Sequence, residues 1–242
     1  MALSRRRSVL LTALLIYWPA IFVCTHWPRI PNWMRQAHVS DKTMHFAAYL
    51  ALVSLWWFAV SPYKKVNWRK PTVWWTLLVM VWYGVIDEVL QAYVGRSADV
   101  NDFLADLAGT ATGLFVFSIF SFWPASIIVT GVIILISSNF SRVSVAHFFP
   151  SASAVFNLFA YALLAILWIK YLQRFHSLSP PVRKWFILSS ALPVGFLLSV
   201  KLLSFVTKRG PTTIDFISAI AGIMIVVATF SVTALSRQRQ VG

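Results

Sequence analysis

Eight apolar stretches, each near the length needed to cross a bilayer, constrain this chain more than any other feature of it. They run roughly over 8–27, 43–60, 72–94, 101–122, 124–140, 153–173, 185–206 and 213–235. A helix rising 1.5 Å per residue needs about 20 such residues to span the hydrocarbon core. In lipid a backbone must satisfy its own hydrogen bonds, so runs of this length read as helices. The fold class expected is therefore all-α: a polytopic transmembrane helical bundle of about eight helices. The chain is 59% hydrophobic and 12% charged, about half the charged fraction of a soluble domain. Many of its 12 Trp residues stand where runs end, as an interfacial belt would place them. Pro19 and Pro193 are expected to kink their helices, and Trp123-Pro124 to form the tight turn between the fourth and fifth.

The net charge of +14 does not point to nucleic acid. The basic residues punctuate apolar spans and make no long basic face. The single Cys24 cannot form an internal disulfide and reads as a helix-packing residue. Arg5-Arg6-Arg7 followed by an apolar run has the look of a signal peptide. No small-residue cleavage site follows it, so it reads as an uncleaved first helix.

Basic residues orient the spans. With the N-terminus inside, 13 of the 21 Lys and Arg residues fall on cytoplasmic segments. All seven acidic residues then lie in the outer half. Both termini are expected in the cytoplasm of a bacterium whose inner membrane the chain crosses.

Two pairs of segments resemble each other at nearly one offset. HFAAYLALVSLWW from His45 matches NLFAYALLAILWI from Asn157, at 112 residues. GRSADVNDFLADLAG from Gly95 matches KRGPTTIDFISAIAG from Lys208, at 113. The reading is an internal repeat of two four-helix units, 1–122 and 123–242. An even helix count makes them parallel, related by an axis along the membrane normal. The second unit is degenerate. Asn157 stands at the place of His45, Lys201 at that of Glu88, Ser204 at that of Gln91 and Ala219 at that of Asp106.

The acidic stretch of unit one carries the chemistry. Five of the seven carboxylates lie between Asp87 and Gly113, and ionisable groups near membrane depth are functional candidates. On one helix Gly84, Glu88 and Gln91 share a stripe with Asp87 beside it. On the next, Asp102, Asp106, Gly109 and Gly113 share another, with glycines spaced for close helix approach. Asp102 and Asp106 are expected in the first turn of their helix, with Asn101 or Asp99 as its cap. Asp41 and His45 lie one turn apart at the same outer end, with Lys42 adjacent. Several plainer roles stay open. Asp102 and Asp106 fit helix capping. Asp87 and Glu88 fit ion pairs with Arg96 and Lys42, and His45 fits a hydrogen-bonded core position. A metal site among His45, Asp87, Glu88, Asp102 and Asp106 is chemically accessible. No tight ligand motif calls for one, so no metal and no cofactor are expected.

These residues resemble the VanZ-like family of small membrane proteins. The resemblance rests on Asp41-Lys42, His45-Phe46 and Tyr49, then Gly84, Asp87-Glu88, Gln91, Arg96-Ser97 and Asp102, ending in the Ala108-Gly109/Gly113 helix. It spans about residues 30–120. Unit two matches only through Tyr161, Arg209, Asp215 and Gly222. The family name implies a link to glycopeptide antibiotic resistance, and other members imply exopolysaccharide or cell-envelope roles. The resemblance implies no enzymatic mechanism. The expected function is to bind or modulate an envelope lipid or lipid-linked glycan through an outward polar pocket. That pocket would use Asp41, Lys42, His45, Asp87, Glu88, Gln91, Arg96, Ser97, Asp102 and Asp106. Membrane lipids are the expected partners. A non-catalytic subunit of a larger membrane complex and a membrane enzyme acting on an envelope lipid remain the alternatives.

Overall fold

The computed structural model describes residues 5–26, 41–61, 64–94, 98–139, 150–175, 183–207 and 213–241. Every regular element among them is an α-helix: α1 (Arg5–Thr25), α2 (Asp41–Val60), α3 (Pro71–Tyr93), α4 (Val100–Ile119), α5 (Phe122–Asn139), α6 (Pro150–Phe175), α7 (Arg183–Val206) and α8 (Thr213–Val241). Seven of them are long and apolar enough to cross a membrane, while α1 offers a shorter apolar segment, Arg7–Val23. The architecture is a polytopic helical bundle. Pro19 and Pro193 each lie inside a continuous helix.

The α4–α5 turn differs from expectation by a few residues. Phe120 adopts an extended conformation (φ −105°, ψ 147°) and ends α4, whereas Trp123 and Pro124 already belong to α5. A proline in the first turn gives up an N–H that has no intrahelical partner there, so it begins a helix rather than breaking one. Pro71 does the same at the start of α3, behind an extended Lys70.

The chain divides into two compact units, Met1–Val129 and Thr130–Gly242, with the division inside α5. In unit one the core lies between α2 and α4. Tyr49, Leu50, Leu52 and Val53 of α2 are buried, as are Leu114 and Phe117 of α4. The two helices approach at their backbones. A Cβ on Gly109 would fall on the carbonyl oxygen of Phe46, and one on Gly113 would lie 2.5 Å from Val53 Cγ1. Small residues at such a seam gain dispersion contacts that replace the absent hydrophobic drive in lipid. The opposite faces show Trp74, Trp75, Trp82 and Phe115 to the surroundings, which suits a hydrocarbon solvent.

Polar groups of unit one gather at two ends of the bundle. At one end the 64–70 loop docks on the rest: Val66 N–H donates to Phe117 O (3.0 Å), and Lys65 Nζ to Ile119 O (2.6 Å). Trp57 Nε1 donates to Lys64 O (3.1 Å), and Arg7 Nε to Ala59 O (3.1 Å). These interactions fix a basic, aromatic rim. The acidic residues sit at the other end.

Unit two has its own seam. A Cβ on Gly222 of α8 would fall on the carbonyl oxygen of Leu158 of α6, with Ala162 N 3.3 Å away. Tyr161, Leu164 and Ala165 are buried on α6. Ser153 Oγ donates to Asp215 Oδ1 (2.6 Å), and Ser204 Oγ to Asn139 Oδ1 (2.7 Å).

Candidate functional site

The helix starts and stops at the acidic end decide which side chains meet. Asp99 caps α4, accepting the Asn101 backbone N–H (2.8 Å). Three interactions hold its carboxyl down to about 2. The Asn101 backbone N–H acts most, then the Lys42 ammonium, then the Asn101 side-chain amide. Asp102 occupies the first turn of α4. Asp106, expected there as well, sits a turn further in, because α4 starts at Val100. That step takes it out of capping range and into the bundle.

His45 of α2 and Asp106 of α4 form a buried pair, Nδ1 to Oδ1 2.9 Å. Asp87 of α3 accepts at both oxygens, from Gln91 Nε2 (2.7 Å) and from the Thr25 hydroxyl of α1 (2.9 Å). His26 Nδ1 lies 3.7 Å from Asp87 Oδ1. Glu88 Oε2 accepts the backbone N–H of Asp99 (2.9 Å). Asp87, Asp106, His45 and Glu88 are 1%, 2%, 5% and 7% exposed. The cluster is therefore buried in unit one.

Among the described residues, several buried polar atoms in or near it have no hydrogen-bond partner: Glu88 Oε1, Asp106 Oδ2, Tyr49 Oη and Thr110 Oγ1. Buried polar atoms are nearly always satisfied, by protein or by a bound species. Beneath them lies an aromatic floor. Tyr49 and Tyr83 have centroids 5.7 Å apart, and Trp18 meets Tyr83 at 5.2 Å and Trp56 at 5.5 Å.

The charge pairing differs from one expectation. Lys42 pairs with Asp99 (3.0 Å) and Asp102 (3.5 Å), and not with Asp87 or Glu88. Lys42 is half-exposed at the rim, where the carboxylates of the α4 start are also within reach, while Asp87 and Glu88 are interior. The structure thus brings His45, Asp87, Glu88, Gln91 and Asp106 together, with Lys42 and Asp102 beside them. Asp41 starts α2, but its side chain lies outside the described residues, as do Arg96 and Ser97.

Thr25 and His26 belong to the site but were not among the sequence candidates. They end an apolar run and were legible only as its boundary. The available signal was depth: they are a polar pair at the same end of the bundle as every carboxylate of the unit.

The family model described as VanZ/LLP1 matches residues 6–121, the stretch from α1 through α4. No curated protein and no solved structure matches the chain.

Proposed function

We propose that this VanZ-like membrane protein, whose residues 6–121 belong to the VanZ/LLP1 family, uses its first unit to hold the polar headgroup of an envelope lipid or lipid-linked glycan. The observation that carries this reading is the buried cluster at one end of the bundle, in which carboxylate oxygens and the Tyr49 hydroxyl lack partners. Such atoms are suited to accept or donate to hydroxyl-rich ligands. Arg96, in the sequence link between α3 and α4, would add a bidentate phosphate contact. Lys42 lies exposed at that rim. The cluster faces outward from a bacterial cytoplasmic membrane, with both termini in the cytoplasm, and the setting is glycopeptide resistance or exopolysaccharide production.

Mass spectrometry of lipids retained by the gently purified chain is the direct test, and a glycolipid or lipid-linked phosphate enriched over bulk lipid is expected. Arg96→Ala and Glu88→Gln should lower that retention and the envelope phenotype at normal expression. Unchanged retention and phenotype in both would end the reading.

A second reading has one observation in its favour. Asp87 accepts from Gln91 and from Thr25 of α1, as a residue tying helices together would. In that case the protein is a non-catalytic subunit of a membrane complex, and co-purification with a larger assembly would survive Arg96→Ala.

The two units are further proposed to descend from one four-helix ancestor. The backbone seams support this, since Gly109 on Phe46 and Gly222 on Leu158 repeat at the same 112–113 offset as the sequence.

A further inference from the structure

We propose that unit one holds a divalent transition-metal ion of the Mn²⁺ or Zn²⁺ class, ligated by His45, Asp87, Glu88 and Asp106. The inference does not rest on the lipid reading. One ligand atom from each of these residues can be chosen so that all lie within 4.8 Å of one another. Metal–ligand distances of about 2.0–2.2 Å place ligand atoms roughly 3–4 Å apart. Small side-chain rotations therefore close the set around an ion.

Two further observations point inward at this place. Among the described residues, Glu88 Oε1 and Asp106 Oδ2 have no hydrogen-bond partner, on residues that are more than nine-tenths buried. Each carboxylate is tethered by its other oxygen, Glu88 to the Asp99 N–H and Asp106 to His45. In Glu88 one oxygen is thus held by an outer partner and the other left bare, as in a metal ligand, while Asp106 is held by His45, itself in the set. Among the described residues, moreover, no Lys or Arg pairs with Asp87, Glu88 or Asp106. Three buried carboxylates with imidazoles as the only basic side chains beside them call for protonation or a bound cation.

The donor chemistry narrows the choice of ion. One imidazole with carboxylates suits Mn²⁺ or Zn²⁺ better than Mg²⁺, which keeps an all-oxygen octahedron with several waters. The ligands come from α2, α3 and α4, so the ion joins three helices that no ligand spacing in the sequence connects.

The test uses the full chain, purified in detergent, stripped with chelator, loaded with Mn²⁺ and passed through gel filtration. About one Mn²⁺ per chain is expected to co-elute, displaceable by Zn²⁺, with a higher melting temperature than the stripped protein. Glu88→Gln and Asp106→Asn should weaken Mn²⁺ binding by about tenfold or more, while Asp215→Asn in the other unit leaves it unchanged. Wild-type protein that elutes without Mn²⁺ and melts unchanged overturns the proposal, the result a merely protonated cluster would give. Equal binding by Glu88→Gln or Asp106→Asn also overturns it. If a variant aggregates, the wild-type stoichiometry and melting shift decide. Metal retention and lipid retention are separate readings, so either proposal can fail alone.

Discussion

Tyr49 and Tyr161 set the terms at the scale of single residues. Both are buried, and both hydroxyls lack hydrogen-bond partners. A buried hydroxyl without a partner adds little stability, so Tyr49→Phe and Tyr161→Phe should each change unfolding free energy by no more than about 1 kcal/mol. The functional effects should differ: Tyr49→Phe lowers ligand retention if the headgroup reading holds, and Tyr161→Phe does not. Thermal unfolding in detergent beside retention assays measures both. The sequence made these residues legible as types but not as neighbours. His45 and Asp106 stand 61 positions apart, and no local rule pairs them. Asp87 finds Thr25 from 62 positions away. The apolar alphabet of a membrane chain hides such partners, because every helix face is greasy and no hydrophobic period marks the inside.

At the scale of elements the sequence is far more telling. Span length, Pro71 at a helix start and Asp99 as a cap are local physics, and they appear where local rules put them. The turn at Phe120–Ser121 was less legible, because a proline reads equally as a breaker and as a first-turn residue. The seams make a graded prediction. Gly109→Ala and Gly222→Ala place a methyl against a backbone carbonyl, which cannot rotate away. Each should cost about 1–3 kcal/mol. Gly84→Ala meets the ring of Phe103 at 3.2 Å, which can yield, and should cost below about 1 kcal/mol. Melting temperatures and yield would rank the three. The α4 cap predicts a pH dependence. The Asp99 carboxyl lies near 2 instead of 3.8, a depressed value. Its stabilisation is therefore complete above about pH 4 and is lost as pH falls toward 2. Hydrogen exchange at the start of α4 should rise over that window, and in Asp99→Ala it should be raised at neutral pH and indifferent to the same acidification.

At the scale of the whole molecule, the proposed topology with the N-terminus inside makes a labelling prediction. With Cys24 replaced by Ser, a cysteine at Lys65 should react with an impermeant maleimide only after permeabilisation, and one at Asn101 in intact cells. The reverse pattern would turn the acidic cluster inward and remove the extracytoplasmic reading. The repeated segments led to an expectation of two four-helix units meeting at 122–123, and the two compact units part within α5. A boundary inside one continuous helix has no loop or charge run to mark it.

The glycine seam carries one last consequence. Ala219 stands three residues before Gly222, as Asp106 stands three before Gly109, and Ala219 is fully buried. The chain already carries an alanine at that position beside an intact seam. Scaffold and cargo are thus separable: Asp106→Ala should insert and keep the Gly109 seam, with a lower melting temperature from the lost His45 partner, and binding would be lost with it. Drift or selection can then rewrite the polar cluster of such a unit without first solving the folding problem again.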